Sequence, residues 1–379
     1  MRARLLVFFT FTACGVGVTG FDAGEATDGD SGVLTSDAGD GDGGIDAGWV
    51  DAGAVDSGVD AGALADAGDG SDAGLADAGL ADAGLDAGAL DAGFDAGTPD
   101  AGPACSRCAA YRAPVNAGVV ATAALTEISG LGASRVHPNV LYAHNDSGGL
   151  PVVYAFSTTG MSLGELQLAG AVNLDWEDLA VGPCPSGSCV YLADIGDNGS
   201  NRSTPYYLYR IAEPPTPPSG NLTVTWERFE LQYPAGLKSD AETLLVHPVT
   251  GDVYVVTKRT FGLKSAVYKA PAPLGAVTVM TKVADLAVPD GLDLPLTGGD
   301  IDPCGTAILL RSYSVIYQFS GSGPFDGLFT SPFTRVPAPA LSAGAGGELQ
   351  GEALAWLPGG GYMSVSEGMS PTLHRVDCQ

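Results

Sequence analysis

The sequence predicts an all-β fold: a β-propeller of five blades, with six as the alternative, preceded by a disordered Asp/Ala/Gly-rich tether. Three observations carry this expectation. Five units open on an acid, Glu127, Glu177, Glu242, Asp300 and Glu352, in the settings TEISGL, WEDLAV, AETLLV, GDIDPC and GEALAW. Each closes on a similar short strand: VYAF around Tyr154, LYRI around Tyr209, VYKA around Tyr268, IYQF around Tyr317 and LHRV around His374. Recurrence of this kind is one supersecondary unit reused. The last unit also lacks a fourth strand, while a spare strand at 117–125 lies just before the first. An N-terminal strand that completes the final sheet closes a propeller ring and removes its open edges.

At the N-terminus, MRARLLVFFTFTAC combines basic Arg2 and Arg4, a short apolar run and small residues before Cys14. Residues 1–20 read as an export signal, too short to span a bilayer. Phe11-Thr12-Ala13-Cys14 resembles the bacterial lipoprotein signal, in which cleavage leaves a lipidated cysteine. An ordinary cleaved signal ending near Thr19-Gly20 is the alternative. The lipid reading places the protein in the cell envelope, held at the outer membrane or cell surface through its N-terminal lipid alone. Residues 21–103 hold no Lys or Arg, repeat Asp-Ala-Gly, and carry 20 of the 44 acids. Such a stretch cannot bury enough apolar surface to offset chain entropy, so a disordered linker is expected. As a flexible coil it would span on the order of 50 Å, more with self-repulsion. These runs resemble the stalks of bacterial lipoproteins.

Residues 104–379 form the predicted propeller domain. They keep 24 acids against 15 bases, a mildly acidic balance without the basic footprint of a nucleic-acid partner. A monomer is expected, with a small-molecule or envelope ligand at the propeller face. There are 7 cysteines. With Cys14 set aside, an even set remains, which in an exported protein reads as disulfides. Cys184 and Cys189 bracket the turn-rich PSGS and are expected to pair. Cys105-Ser-Arg-Cys108 could be a redox motif, a zinc motif or a staple at the domain entrance. The chain has no second cysteine pair at metal spacing, which favours the staple.

Within each unit the first strand follows the acid: ISGL, DLAV, TLLV, IDPC and ALAW. The second strands fall at 141–146, 190–194, 253–258, 308–312 and 362–367. The fourth fall at 164–170, 222–229, 276–284 and 333–337. β-branched and aromatic alternation between Gly/Pro/Asn/Asp clusters is the strand-and-turn signature. His137 and His247 sit in the turns HPN and HPVTGD, where structural roles are expected.

In a propeller the innermost strands start on the face where the second strands end. The five acids are therefore expected to meet His144, Asn145 and Asp146; Asp194, Asp197 and Asn198; Lys258 and Arg259; Arg311; and Glu367. Several carboxylates in a low-dielectric channel are costly unless a cation neutralises them or some stay protonated. A hard cation with oxygen ligands, most plausibly Ca²⁺, fits this inventory, with Glu127, Glu177, Glu242, Asp300 and Glu352 as its ligands. Lys258 and Arg311 could hold an anionic substrate, with His144 as acid or base. Asn145, Asp146, Asp194, Asp197, Asn198, Arg259 and Glu367 would line the ligand site. The alternative for each acid is a turn cap or a structural bridge to Arg202, Arg259 or Arg311, and for His144 a structural hydrogen bond. No phosphate-binding GxxxxGK[ST] and no HExxH motif occurs. Paired-carboxylate glycoside hydrolysis stays open.

The ordered series EISGL, HNDSGG, NLDWEDLA, YLADIGDN, SDAETLL, GGDI and QGEALAW resembles bacterial secreted propellers of the phytase-like, esterase-like type. The resemblance spans residues 117–377. It implies a calcium-supported phosphoester hydrolase, with Glu177, Glu242, Asp300 and Glu352 as ligands. Two functions follow as expectations: metal-assisted ester or phosphoester hydrolysis, or recognition of an envelope glycan or protein without turnover.

Overall fold

The structure, a computed structural model, describes residues 107–258, 264–289, 295–341, 347–348 and 350–379. Cys14, Cys105, the 21–103 linker and Arg259 lie outside the described residues. A short strand, β1 (Val115–Val119), precedes five antiparallel sheets. Blade 1 is β2 (Ile128–Ala133), β3 (Val140–Asn145), β4 (Val152–Ser157) and β5 (Ser162–Gln167). Blade 2 is β6 (Trp176–Cys184), β7 (Gly187–Asp194) and β8 (Tyr206–Ala212), then, after β9 (Gly220–Thr223), β10 (Glu227–Gln232). Blade 3 is β11 (Ala241–Val246), β12 (Val253–Thr257) and β13 (Ala266–Ala270), then, after β14 (Val277–Val279), β15 (Thr281–Asp285). Blade 4 is β16 (Leu296–Ile301), β17 (Ala307–Ser312), β18 (Ile316–Ser320) and β19 (Phe333–Val336). Blade 5 is β20 (Gly351–Trp356), β21 (Tyr362–Ser366) and β22 (Thr372–Val376), completed by β1.

The innermost strands β2, β6, β11, β16 and β20 each touch both neighbours, which closes a five-membered ring. This is the five-bladed propeller expected from the sequence. The closing strand is as foreseen, although it runs over 115–119: β1 pairs antiparallel with β22, Val119 opposite Thr372. Ring closure removes the exposed sheet edge that an open array would leave.

Burial explains why the units recur. Each of β2, β11, β16 and β20 is buried along its whole length, because an inner strand has a neighbouring blade on either side. The third-strand tyrosines fill the wedges between blades. Tyr209 packs on Trp176 and Trp226, both with ring centroids at 5.6 Å, Tyr268 on Tyr233 at 4.8 Å, and Tyr317 on Phe333 at 5.1 Å. Close approach at the axis also dictates glycine. A Cβ on Gly130 would lie 2.5 Å from the Leu179 nitrogen and 2.6 Å from the His144 ring.

Two fourth strands differ from expectation. The single segments at 222–229 and 276–284 each split in two. Their first halves, β9 and β14, reach back and add in parallel to the outer strands β5 and β10 of the preceding blades. Only the second halves complete their own blades. In blade 4 a 3-10 turn (Phe325–Thr330) lies against β15 in the same way. The segment before each of these outer strands thus laces its blade to the one before.

Disulfides add two constraints. Cys184 pairs with Cys189 as expected, and Cys108 pairs with Cys378 across 270 residues. Cys304 is disulfide-bonded too. Such bonds are those of a protein folded in an oxidising, extracytoplasmic compartment. Among the described residues no helix is long and apolar enough to cross a membrane. The turn histidines are structural: His137 Nε2 contacts the Pro214 carbonyl at 2.7 Å, and His247 Nδ1 accepts from the Val249 and Thr250 amides.

Candidate functional site

Each innermost strand carries a β-bulge near its start. The extra residue is Ser129, Glu177, Glu242, Thr297 and Glu352 in blades 1 to 5. A bulge leaves one residue out of the ladder and re-aims its side chain. Three of the five predicted acids therefore occupy equivalent positions, and two do not. In blades 1 and 4 the bulge holds a hydroxyl, which donates to the next inner strand: Ser129 to the Glu177 carbonyl at 2.5 Å, Thr297 to the Gly351 carbonyl at 3.0 Å. Glu127 lies two residues before its bulge and is exposed.

Asp300 lies three residues past its bulge. Its carboxylate accepts from its neighbour Ile301 and from Trp356 of blade 5, both at 2.7 Å. Asp178 makes the same clamp, to Leu179 at 2.7 Å and to Leu244 of blade 3 at 2.8 Å. Burial lifts both carboxyls, Asp300 to about 6. These two acids join blades and do not face the channel.

The remaining acids converge. Asp146 follows β3, Asp175 precedes β6 and Glu177 is the β6 bulge; one oxygen from each lies within 4.8 Å of the others. Asn173 orients the first two, donating from its amide to the Asp146 carbonyl at 2.8 Å and accepting from Trp176 at 3.0 Å. Gly196 leaves the space they use. A Cβ there would sit 2.1 Å from Glu177 Oε1 and 2.4 Å from the Asp175 carboxylate. Burial, then Asp146 and Asp240, pushes Asp175 up to about 6. Burial, then Glu242, drives Glu177 well above the carboxylate range.

Beside this triad, Glu242 is salt-bridged to Lys258 through Oε1, while its buried Oε2 has no partner among the described residues. Burial raises Glu242 to about 8, against the pull of Lys258. Glu352 accepts from Gln350 at 2.5 Å and is raised by burial and by Glu242. Glu367, raised to about 7 by burial and by Asp146, completes the rim. Sequence reasoning missed Tyr313, whose hydroxyl is raised by burial and by Glu352 and which shares Lys258. It directly follows β17, at the level where Lys258 follows β12, and that equivalence is visible once units are aligned by strand.

Other predicted residues build the walls. Asn145 caps a turn, accepting from Thr126 and Glu127 and donating to the Ala124 carbonyl. Asp194 binds Arg202 at 2.6 Å in a buried pair. Asp197 accepts from the Asn201 and Arg202 amides and from the Tyr206 hydroxyl. Both shape the loop that presents Gly196, and Asn198 on that loop is exposed. His144 is fully buried, with Nδ1 at 2.9 Å from the Asn145 carbonyl and its ring edge-on to Trp176. Desolvation lowers it to about 4, so it is a neutral packing residue at pH 7. Arg311 is fully buried and bound to Glu348, far from any anion-holding role.

No known protein family matches the chain, and no curated protein matches it. Solved structures do. A gluconolactonase from Xanthomonas campestris is 12% identical over 72% of this chain and 91% of its own, with a TM-score of 0.39. A glucose dehydrogenase is 9% identical over 70% and 99%, at 0.38. The hydrazine synthase of Kuenenia stuttgartiensis is 12% identical over 66% and 72%, at 0.36. Likeness at this level says nothing of what this chain acts on.

Proposed function

We propose that this protein is an exported propeller, lipid-anchored through Cys14, whose central face binds a hard divalent cation, calcium by donor chemistry. The observation that carries the reading is the convergence of Asp146, Asp175 and Glu177 on the space left by Gly196. The donor set fits: all three offer oxygens, and among the described residues nearby Glu242 Oε2 is unpartnered and no sulfur or imidazole ligand joins the cluster to favour a softer metal. A bound cation would neutralise the crowded carboxylates and polarise a carbonyl or phosphoryl oxygen of the ligand.

This chain's own residues supply the rest. Lys258 holds Glu242 in place, and Glu367, with its raised carboxyl, can carry a proton near neutral pH. Ester or phosphoester hydrolysis at this face would rest on Glu242 and Glu367, not on His144 or Arg311. The burial of those two residues favours a second reading: cation-dependent recognition of an envelope ligand without turnover.

Calorimetric titration of calcium into the full-length protein tests the cation site. We expect one saturable site, weakened at least about tenfold by Glu177→Gln, which removes one charged ligand. Gly196→Ala should weaken it similarly by filling the cradle, with the thermal melt little changed. A wild-type protein that takes up no calcium sinks the proposal. Generic ester and phosphoester turnover, with and without chelator, then separates the two readings.

A further inference from the structure

The loops that carry the carboxylates also carry exposed apolar side chains. Leu150 lies four residues past Asp146, Leu174 directly precedes Asp175, and Met369 lies two residues past Glu367. Leu150 is 73% exposed, Met369 85%, Leu174 43%, and Val172, on the same loop as Leu174, 53%. One exposed apolar residue needs no explanation, but several on adjoining loops mark an interaction site. These loops adjoin. The side-chain amide of Asn173, between Val172 and Leu174, donates to the Asp146 carbonyl at 2.8 Å, and a Cβ on Gly149 would lie 3.5 Å from that amide. On the other side, the Asn145 side chain accepts from the Thr126 amide at 3.0 Å, and the Gly368 amide donates to the Thr126 carbonyl at 3.1 Å.

The mouth of the carboxylate face therefore has two unlike sides. Blades 5, 1 and 2 place an apolar lip beside the oxygens of Asp146, Asp175 and Glu177. In blades 3 and 4 the second strands end instead on Lys258 and Tyr313. A ligand that is polar throughout gains nothing from the lip. One with an alkyl arm beside its polar head takes apolar surface out of water on both partners, and full burial of a methylene is worth about fourfold in affinity.

We infer that this face takes a single-chain amphiphile, an oxyanion or ester head on an alkyl arm, with the head at the carboxylate cluster and the arm along Leu150, Leu174 and Met369. The inference rests on the cation reading above and narrows its ligand class, since a bound cation turns a cluster that repels an anion into one that holds it. The carboxylates are buried or half-buried among the loops. A headgroup packed in a bilayer would have to leave its neighbours to reach them, whereas a free amphiphile would not. An open lip covers only part of the arm, so about twofold per methylene is expected.

Calorimetry on the full-length, calcium-loaded protein with butylphosphonate and octylphosphonate tests this, since neither can be hydrolysed. Octylphosphonate is expected to bind at least about tenfold tighter, through its four added methylenes. The surface double variant Leu150→Ser/Met369→Ser should lose most of that difference, with its melt unchanged and its calcium isotherm reporting whether the loops are intact. A protein that takes up no calcium sinks the cation reading. Calcium uptake with equal affinity for the two phosphonates, or with no binding of either, overturns this inference alone. So does a double variant that keeps the full difference. Calcium-dependent binding to phosphatidylglycerol vesicles without binding of octylphosphonate overturns it too, and assigns the lip to a membrane surface.

Discussion

Replacing Arg311 by methionine should destabilise the protein by about 3–5 kcal/mol, the cost of leaving a buried charge without its partner. Arg311 and Glu348 are each about 1% exposed in their side chains and meet at 2.8 Å. The guanidinium also donates to the Ala353 carbonyl at 3.1 Å and the Ser364 hydroxyl at 2.8 Å, which joins blade 4 to blade 5. Gly351 exists in the form it does because a Cβ there would lie 1.5 Å from Nη2. Burial alone would raise Glu348, but Arg311, with His374 and Ser364, holds it down at about 2.

The sign of the pH effect follows from that depression. A carboxyl whose folded value lies below its unfolded one stabilises the fold above about pH 4.5, and the contribution is lost as pH falls toward 2. The shift corresponds to about 3 kcal/mol at neutral pH. Denaturant melts at pH 7 and pH 3 should therefore show a large gap between wild type and Arg311→Met at the higher pH and a smaller one at the lower. Arg311→Met/Glu348→Leu should recover part of the loss. A single variant that melts like the wild type at pH 7 would falsify the structural assignment of this pair.

The second large effect concerns ring closure. Removing the Cys108–Cys378 disulfide by a double serine substitution should cost about 3–5 kcal/mol, whereas removing Cys184–Cys189 should cost about 2 kcal/mol or less. The difference comes from loop length, 270 residues against 5, since a cross-link restricts the unfolded chain more when it closes a longer loop. The longer link also holds the segment that delivers β1 to β22, where Arg112 donates to the Cys378 carbonyl at 3.0 Å and Gln379 to the Ala110 carbonyl at 3.0 Å. Equilibrium unfolding of the two double variants, measured side by side, checks the ranking. Equal losses would show that the unfolded chain is not what the long link restrains.

The blade rhythm was legible because strand alternation and turn residues recur in every unit. The closing role of β1 was legible because an unpaired strand and an incomplete sheet called for each other. The split of two fourth strands was hidden, since a continuous β-forming run does not reveal which neighbour each half will pair with. The site was partly legible. Glu177, Glu242 and Glu352 share a bulge, but the search for a repeated acid drew in Glu127 and Asp300 and passed over Ser129 and Thr297. Aligned on ISGL, WEDL, AETL, LTGG and GEAL, the units reveal the correct register. Side-chain type could not show that Arg311 and His144 point inward, because burial of a polar group depends on partners such as Glu348 and Trp176 that are distant in sequence.

The link between Cys108 and Cys378 has one geometric corollary. It sits beside the Gly361 turn, where the Gly361 amide donates to Cys108 Sγ, at the strand ends opposite Glu352 and its counterparts. The first described residues thus lie on the face of the domain opposite Glu352 and its counterparts. A ligand for the carboxylate face would therefore enter from the side away from that seam.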